Sequence, residues 1–374
     1  MKYKIVLVSN FFNHHQVEIS DSFYKKLNGS FLFIETEDMP DSFKNSGYPV
    51  LYRNYVMGNS SFNKENVINI INNADVVIFG SAPEFLFEKR ILDNKLTFRY
   101  SERVFKKNYF TLLSPFFWKY LYTHHFRYKN KNLYMLCASS FTKSDFNLVG
   151  LYKNKCFKWG YFPELHKNDT NFEKSNSDKV SLIWVGRFID WKHPEMAINV
   201  IKRLVENGYK NLKLNMYGRG PLLEDMIELV KTLNLDSYVT INGAVDNKIV
   251  NKKLMESDIF IFTSDRNEGW GAVLNEAMYN FCAVVVSDKI GSAKYLIKNK
   301  VNGSLFKSNS DKSLFYELLN ILENKNLIYQ YKIKAKQTII DVWNADVATN
   351  NFIELVKSFE ERKEVSLNGP GSNA

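Results

Sequence analysis

The stretch Glu268-Gly269-Trp270-Gly271-Ala272-Val273-Leu274-Asn275-Glu276 indicates both the fold and a binding site. It follows an apolar run, Ile259–Phe262, that predicts a buried strand, and it continues into apolar residues with helical spacing. A glycine turn between a strand and a helix presents the backbone N–H groups of a helix N-terminus, which favour phosphate. Two carboxylates beside such a turn suit a ligand with phosphates and sugar hydroxyls. A capped core helix with two surface glutamates is the alternative.

Apolar runs alternate with helical patterns along nearly the whole chain, which predicts a parallel α/β fold. The predicted strands are residues 4–9, 31–35, 75–80, 96–100 and 133–138 in the first half, and 180–185, 212–217, 238–241, 259–262 and 283–287 in the second. We expect two Rossmann-like, doubly wound domains that face each other across a cleft. Ligands of such sheets bind outside the carboxyl ends of the strands.

The length of 374 residues favours two domains, and composition suggests their boundaries. The polar, aperiodic run 167–179 is the predicted linker between an N-terminal acceptor-binding domain, residues 1–166, and a C-terminal nucleotide-sugar-binding domain, residues 180–343. An amphipathic pattern predicts a C-terminal helix at residues 344–363 that packs back towards the N-terminal domain. Residues 364–374 are polar and glycine-rich, so we expect a flexible tail.

The composition, 45% hydrophobic and 24% charged, is that of a soluble globular chain. No apolar run of about 18 residues is present to span a membrane, and the first apolar run is too short for a signal peptide. The three cysteines, Cys137, Cys156 and Cys282, are far apart, which favours a reducing compartment over disulfides or a zinc site. We therefore expect a cytoplasmic protein.

The net charge of +10 is concentrated in the first 165 residues, which have 22 basic and 14 acidic side chains. Residues 99–131 contain eight basic side chains and one acid, Glu102, and they are rich in aromatic residues, notably at 114–122. Basic and aromatic side chains together suit an anionic membrane surface and also nucleic acid. A core helix with inward rings and solvated lysines is the third interpretation.

Several ordered motifs of the second half together resemble the family 4 retaining glycosyltransferases. These motifs are Gly186-Arg187 with Lys192, Gly218-Arg219-Gly220-Pro221, Ile241-Asn242-Gly243-Ala244-Val245, and Ser264 followed by Glu268 to Glu276. The resemblance covers about residues 180–310 and implies a GT-B fold, a nucleoside-diphosphate-sugar donor and transfer with retention. The first half resembles the family only in the order of its strands and helices.

The resemblance implies a donor site in which Glu276 holds the ribose hydroxyls and Glu268 holds the transferred sugar. Arg187 and Lys192 suit the diphosphate, whose negative charge grows in the transition state, although both residues would also fit a solvated loop. The other implied donor-binding positions are Gly186, Gly218, Gly220, Val245, Ser264, Gly269, Trp270 and Gly271. The glycines would also simply permit tight turns, and Trp270 either lines the sugar pocket or packs on a neighbouring loop.

The N-terminal half departs from the family pattern. Its first loop lacks the usual glycines and contains the adjacent His14 and His15, either of which would bond a substrate, act as a base, or satisfy backbone groups at the start of a helix. Glu102 stands near where the family has a histidine, and it would contact the acceptor hydroxyl or form an ion pair. Glu84 follows another strand and is a weaker acceptor candidate. Adjacent histidines do not chelate one metal from a helix face, so no metal or cofactor is expected.

The sequence thus predicts a glycosyltransferase that moves a hexosyl or N-acetylhexosaminyl group to a lipid-linked glycan or glycolipid. Retention follows from the resemblance alone. We expect the protein to act in the biosynthesis of a cell-surface polysaccharide, such as capsule or lipopolysaccharide. We expect it to act at the inner face of an anionic membrane and not to bind nucleic acid. A non-catalytic GT-B subunit that binds a sugar or nucleotide is the alternative. The presence of Arg187, Lys192 and Glu268 favours the enzyme.

Overall fold

The computed structural model describes residues 4–41, 50–61, 63–107, 109–165 and 179–374. The chain divides into two compact units, Met1–Glu164 with Trp343–Ala374, and Leu165–Val342. Each unit contains a parallel sheet flanked by helices, so the predicted α/β class with two Rossmann-like domains is confirmed. The predicted linker at residues 167–179 lies, apart from Lys179, outside the described residues.

The first unit is built on a seven-stranded sheet. Its strands are β1 Ile5–Ser9, β2 Phe31–Glu35, β3 Val56–Met57, β4 Val76–Phe79, β5 Thr97–Ser101, β6 Leu133–Cys137 and β7 Cys156–Lys158. Its helices include α1 His14–Lys26, α2 Lys64–Asn73, α3 Glu88–Leu92, α4 Pro115–His124 and α5 Thr142–Leu148. The strand order is β3-β2-β1-β4-β5-β6-β7, and all pairs are parallel.

The second unit repeats the same winding with a six-stranded sheet. Its strands are β8 Val180–Val185, β9 Leu212–Tyr217, β10 Val239–Ile241, β11 Ile259–Phe262, β12 Ala283–Ser287 and β13 Ser304–Phe306. Its helices include α6 Pro194–Glu206, α7 Leu223–Thr232, α8 Asn247–Met255, α9 Val273–Tyr279, α10 Ala293–Leu296, α11 Asp311–Glu323 and α12 Lys325–Asp341. The strand order is β10-β9-β8-β11-β12-β13.

The central strands of both sheets are mostly apolar because helices cover both of their faces. All residues of β1 and β11 are buried, as expected for parallel strands in the middle of a sheet. In each unit the direction of winding reverses between two of these strands, at β1 and β4 in the first unit and at β8 and β11 in the second. Loops at the carboxyl ends of strands at such a reversal point bind ligands in doubly wound folds.

The C-terminal helix, α13 Ala345–Glu361, packs on the first unit. The Ser22 hydroxyl donates a hydrogen bond to Asp346 Oδ1 at 2.7 Å. The ring of Phe352 lies 5.6 Å from that of Phe23 and 4.8 Å from that of Phe98. Among the described residues, no helix has the length and apolar character needed to cross a bilayer.

The last residues differ from the flexible tail expected at 364–374. Gly371 N donates to the Lys158 carbonyl and Lys158 N donates to the Ser372 carbonyl, both at 2.8 Å. Asn373 thereby pairs antiparallel with Phe157 of β7. Because β7 is the outer strand of its sheet, its backbone groups need partners, and the chain end supplies them.

Candidate functional site

The loop between β8 and α6 brings Lys192 to the end of β11. This loop makes a single helical turn at Asp190–Lys192, and Pro194 then starts α6 at the first helical position. The Thr263 hydroxyl donates to the Lys192 carbonyl at 2.6 Å, and Trp184 Nε1 donates to the same hydroxyl at 2.9 Å. These buried hydrogen bonds tie the loop after β8 to the loop after β11.

Lys192 and Glu268 form an ion pair at the reversal point of the second sheet. Lys192 Nζ donates a hydrogen bond to Glu268 Oε2, and each side chain is only 11% exposed. The ammonium group also lies 4.8 Å from the ring centre of Trp191. A nearly buried pair of charges is stabilised by additional polar partners, and a ligand with anionic and hydroxyl groups would supply them.

Arg187 lies beside this pair on the same loop. Its guanidinium carbon is 5.5 Å from the ring centre of Trp191, and the side chain is exposed. In the described part of the chain no acidic residue pairs with it. Its planar array of donors therefore remains available to an anionic ligand.

Two glycines of the second unit allow its loops to approach each other closely. Gly218 has a φ of 145°, and a Cβ atom there would lie 1.8 Å from the Gly186 carbonyl oxygen. Gly220 has a φ of 157°, and a Cβ would lie 2.3 Å from the Phe188 carbonyl oxygen. Phe188 N also donates to the Arg219 carbonyl at 2.9 Å. These glycines therefore hold the loop after β9 against the loop of Arg187 and Lys192.

The motif that follows β11 is more deeply packed than the sequence suggests. The indole of Trp270 is 1% exposed, and its Nε1 donates to Asn275 Oδ1 at 2.9 Å. Ser264 is fully buried, and its hydroxyl has no hydrogen-bond partner among the described residues. Gly271 has a φ of 86° and packs against the ring of Phe262. The Trp270 side chain thus packs in the core instead of lining a pocket, and the Ser264 side chain has no surface for a donor.

Glu276 lies within α9, in surroundings that differ from those of Glu268. Burial raises the pKa of the Glu276 carboxyl to about 7, although a hydrogen bond with Asn247 acts in the opposite direction. The group is therefore partly protonated at neutral pH. Gly269 of the motif is buried, whereas Val245, in the loop before α8, is half-buried.

The first unit contains a cavity of about 540 Å³ at the carboxyl ends of β1, β4 and β5. This volume lies within the range of small-molecule sites. The lining includes Ser9, Asn10, Gln16, Ser81, Tyr120 and Ser101. His15 and Glu102 both contribute to it, so two of the three predicted acceptor residues come together, whereas His14 is not part of the lining.

His15 lies in the first turn of α1, where Asn13 and Gln16 form a capping box. Its ring stacks on that of Tyr161 at 5.3 Å. Burial, together with the neighbouring His14, lowers the pKa of His15 to about 3. A group with so low a pKa is a poor general base at neutral pH, so the imidazole suits hydrogen bonding instead.

The acids near the cavity are already paired. Glu102 accepts hydrogen bonds from Lys106 Nζ and, at 2.7 Å, from the Tyr161 hydroxyl. Glu84 forms an ion pair with Arg99 at 2.7 Å. The ion pair that the sequence analysis offers as the alternative for Glu102 is therefore present, and its partner is Lys106.

The sequence analysis did not predict Arg99 and His125 as site residues, although both line the cavity. His125 is buried, with its Nδ1 2.9 Å from the Tyr152 hydroxyl, and burial holds the pKa of its imidazole well below the usual value. Its place at the end of an aromatic stretch gave no signal of a polar site. Arg99 lies inside β5, directly after Phe98, and a charged residue within a strand was the only signal available.

Apolar side chains are exposed around α4. Leu113 is 80% exposed, Phe116 84% and Tyr122 64%. Lys107, Lys119 and Lys129 are exposed nearby in the sequence, whereas Lys106 is bound to Glu102. We call residues 107–129 the aromatic–basic segment. Exposed apolar side chains mark an interaction surface where they form a contiguous patch.

Solved structures with the same fold include a glycosyltransferase. A glycosyltransferase from Rickettsia africae superimposes with a TM-score of 0.69 over 97% of this chain and 100% of that one, at 18% identity. Alr3699/HepE of Anabaena, solved in complex with UDP, gives a TM-score of 0.69 over 95% of this chain and 100% of that one, at 13% identity. The class that this fold defines is the GT-B glycosyltransferase architecture.

The second half of the chain also matches known sequences. Residues 167–338 match the family described as Glycosyl transferases group 1. An N-acetylgalactosamine-N,N'-diacetylbacillosaminyl-diphospho-undecaprenol 4-alpha-N-acetylgalactosaminyltransferase of Campylobacter jejuni is 32% identical over 41% of this chain and 40% of its own. A poly(ribitol-phosphate) alpha-N-acetylglucosaminyltransferase of Staphylococcus aureus is 23% identical over 46% and 34%. The matches thus span less than half of these relatives.

Proposed function

We propose that the protein is a retaining glycosyltransferase that takes a hexosyl or N-acetylhexosaminyl group from a nucleoside-diphosphate sugar. The observation that carries this proposal is the Lys192–Glu268 ion pair at the reversal point of the second sheet. A diphosphate can replace Glu268 as the partner of Lys192. The released carboxylate can then accept hydrogen bonds from the hydroxyls of the donor sugar.

The chemistry follows from where charge develops. When the bond between the sugar and the diphosphate breaks, negative charge grows on the leaving phosphate. Cations that are already in place stabilise that charge without reorganising, and Lys192 and Arg187 are such groups. We assign no protein nucleophile, and the leaving phosphate helps to remove the acceptor proton. Because these two cations can balance the diphosphate, we propose that no metal ion is required.

Glu276 is assigned to the ribose of the nucleotide. A carboxylate can accept hydrogen bonds from both ribose hydroxyls at once, whereas a protonated carboxyl offers one acceptor and one donor. The glycines at 186, 218 and 220 allow the nucleotide to lie close to the backbone. Val245 and Gly269 complete the proposed donor contacts.

We assign the acceptor to the cavity of the first unit. The charges of the cavity lining are largely balanced, since Arg99 is paired with Glu84 and Glu102 with Lys106. The two lining histidines have lowered pKa values and are uncharged at neutral pH. Hydroxyl, amide and aromatic groups remain, and these suit a sugar unit of the acceptor better than a phosphate.

The acceptor is proposed to be a lipid-linked glycan or glycolipid of a cell-surface polysaccharide pathway. The Campylobacter relative is named for an acceptor linked to diphospho-undecaprenol. The aromatic–basic segment supports the same proposal, because exposed rings and lysines suit the headgroup region of an anionic bilayer. The protein would then act at the inner face of the membrane without crossing it.

A donor screen tests the proposed function. Thermal unfolding is measured with UDP, GDP, ADP, CDP and TDP, on the wild type and on Lys192→Met. A ligand at 100 times its dissociation constant stabilises by about 2.7 kcal/mol, so one base should raise the melting temperature of the wild type and not that of Lys192→Met. Lys202→Met is the control, since Lys202 is exposed on α6.

Two outcomes would count against the proposal. If no nucleoside diphosphate raises the melting temperature of the wild type, or if it raises that of Lys192→Met equally, the assignment of the donor site is wrong. Stabilisation without sugar transfer to any lipid-linked acceptor would instead indicate a non-catalytic nucleotide-binding subunit.

A further inference from the structure

A second charged contact joins the two loops that carry Lys192 and Glu268. His193 directly follows Lys192, and its Nε2 lies 3.5 Å from Asp265 Oδ2. Asp265 begins the turn that ends at Glu268, because its carbonyl accepts from Glu268 N at 3.2 Å. Its other carboxylate oxygen accepts from Asn267 N at 2.8 Å, which fixes that turn. Two ion pairs, Lys192–Glu268 and His193–Asp265, therefore link the two loops at adjacent points, in addition to the hydrogen bonds that the loops share.

Donor binding would disrupt one of these two links. If the diphosphate takes Lys192 and the sugar takes Glu268, the ion pair between them is lost. The hydrogen bond from the Thr263 hydroxyl to the Lys192 carbonyl remains, and so does the contact of His193 with Asp265. Asp265 N also keeps its hydrogen bond to the Trp191 carbonyl, at 3.0 Å, so the contact of His193 with Asp265 is the side-chain link that acts directly on the turn of Glu268.

We infer that His193 is a positioning residue, whose ion pair with Asp265 holds the Lys192 loop in register with the Glu268 turn while the donor occupies the charges of both. This role rests on the proposed donor site. It differs from that of Lys192, since His193 acts through the loop and does not contact the nucleotide.

The backbone of His193 supports a role for its side chain. Its φ of 48° and ψ of 56° lie in the left-handed region, which residues other than glycine adopt uncommonly, although histidine does so more often than most. Such backbone conformations cost free energy and persist where other contacts hold them. The contacts of the His193 imidazole with Asp265 and with Glu195, at 3.0 Å, are of this kind.

The charges around His193 favour the imidazolium form. Asp265, on the facing loop, and Glu195, on α6, raise the pKa of His193 to about 9. For Asp265, burial acts to raise the pKa, but His193 and Asn267 outweigh it and hold the pKa below its usual value. The ion pair is therefore present at neutral pH and is lost as the pH rises through the pKa of His193.

The test combines a titration with nucleotide affinity. His193→Asn keeps a residue that tolerates the left-handed region, and Asp265→Asn keeps the oxygen that accepts from Asn267. Glu195→Gln is the matched control, because Glu195, in the first turn of α6, contacts the same imidazole and does not link the two loops. The NMR shift of His193 Cε1–H is followed with pH, and the affinities for UDP, GDP and ADP are measured by calorimetry.

The expected results are specific to a link between loops. His193 should titrate near 9 in the wild type and lower in Asp265→Asn. At neutral pH, His193→Asn and Asp265→Asn should each lower the affinity for the nucleotide by about three- to tenfold. The double variant should lower the affinity no further than either single variant does. Wild-type affinity should fall by the same factor as the pH passes the pKa of His193. The variants keep the other groups that titrate at alkaline pH, so they should show the rest of the pH profile but not this fall in affinity.

Three results would overturn the inference. His193 titrating at its ordinary value would show that the ion pair is absent. Equal loss in Glu195→Gln, or an unchanged pH profile in His193→Asn, would show that the link between loops does not matter. If none of the three nucleotides binds the wild type, the donor-site proposal fails and the positioning role with it, while the titration still reports on the ion pair.

Discussion

Glu268 and Glu276 belong to one sequence motif but differ in their surroundings. Glu268 is held by Lys192, whereas burial raises the pKa of Glu276 to about 7. Two carboxyl groups in different environments take different protonation states at one pH. For Glu276 the folded protein holds the proton more tightly than the unfolded chain. Its contribution to the free energy of unfolding is therefore largest at acidic pH and declines as the pH rises towards 7.

Nucleotide affinity should depend on pH through Glu276. If its carboxylate accepts from the ribose hydroxyls, affinity should rise as the pH passes about 7. Glu276→Gln should weaken binding at alkaline pH and remove this part of the dependence. Calorimetric titrations across the pKa, on both proteins, check this. Parallel pH profiles for the two proteins would remove Glu276 from the ribose site.

Gly218→Ala should be far more harmful than an alanine at an open glycine. The new Cβ would lie 1.8 Å from the Gly186 carbonyl oxygen, so the loops must separate. Gly208 also has a positive φ, of 90°, but no atom lies within 4 Å of the position of a Cβ. We expect about 1 kcal/mol of lost unfolding free energy for Gly208→Ala and roughly 3 kcal/mol or more for Gly218→Ala, with nucleotide binding lost only in the latter. Urea unfolding measures both, and equal losses would contradict the close approach.

At the scale of elements, the sequence predicts the central strands well and the edge strands poorly. Residues 180–185, 212–217 and 259–262 were predicted with the bounds that the structure has, since buried parallel strands are continuous apolar runs. β3 and β7 were missed because two and three residues are too short to show a pattern.

The candidate site was predictable only in part for similar reasons. The family resemblance predicted that Lys192 and Glu268 share a site, and the structure brings them into contact. It could not predict the burial of Trp270, because a tryptophan beside glycines fits either a pocket or a core. Nor could it predict the pairing of His193 with Asp265, which are far apart in the chain and meet only through the order of the strands.

The aromatic–basic segment should bind anionic vesicles through its exposed apolar side chains. Leu113→Ser with Phe116→Ser should weaken binding by at least tenfold, because each side chain loses apolar area worth about 1.5–3 kcal/mol when fully buried. Lys107→Glu with Lys119→Glu should weaken it further, at about 1 kcal/mol for each lysine. Flotation with phosphatidylglycerol vesicles, against phosphatidylcholine, measures this.

The control for the membrane prediction is Tyr316→Ser, which changes an exposed ring on α11 in the second unit. Nucleotide affinity should stay at its wild-type value in all of these variants. No vesicle binding by the parent protein at low salt would refute a membrane role for this segment. An equal loss of vesicle binding in Tyr316→Ser would show that the effect is not confined to the aromatic–basic segment.

At the scale of the whole molecule, the two units should be separable by mutation. Glu102→Gln and His15→Asn, in the cavity of the first unit, should leave nucleoside diphosphate affinity unchanged and lower transfer to the acceptor. Lys192→Met, in the second unit, should lower both. Binding and transfer are measured on the same preparations. Weaker nucleotide binding in Glu102→Gln would contradict the assignment of this cavity to the acceptor.

The most direct test of the proposed function is turnover of the donor. Release of nucleoside diphosphate from UDP-, GDP- and ADP-linked hexoses and N-acetylhexosamines is followed with lipid-linked glycan extracts as acceptors. The wild type should use one nucleotide and transfer its sugar with the donor's anomeric configuration, and Lys192→Met should be slower by roughly 10²-fold or more, the effect of losing one preorganised charge. Release by the wild type that does not exceed that of Lys192→Met, for every donor, would contradict the proposal that this protein is a nucleotide-sugar-dependent glycosyltransferase.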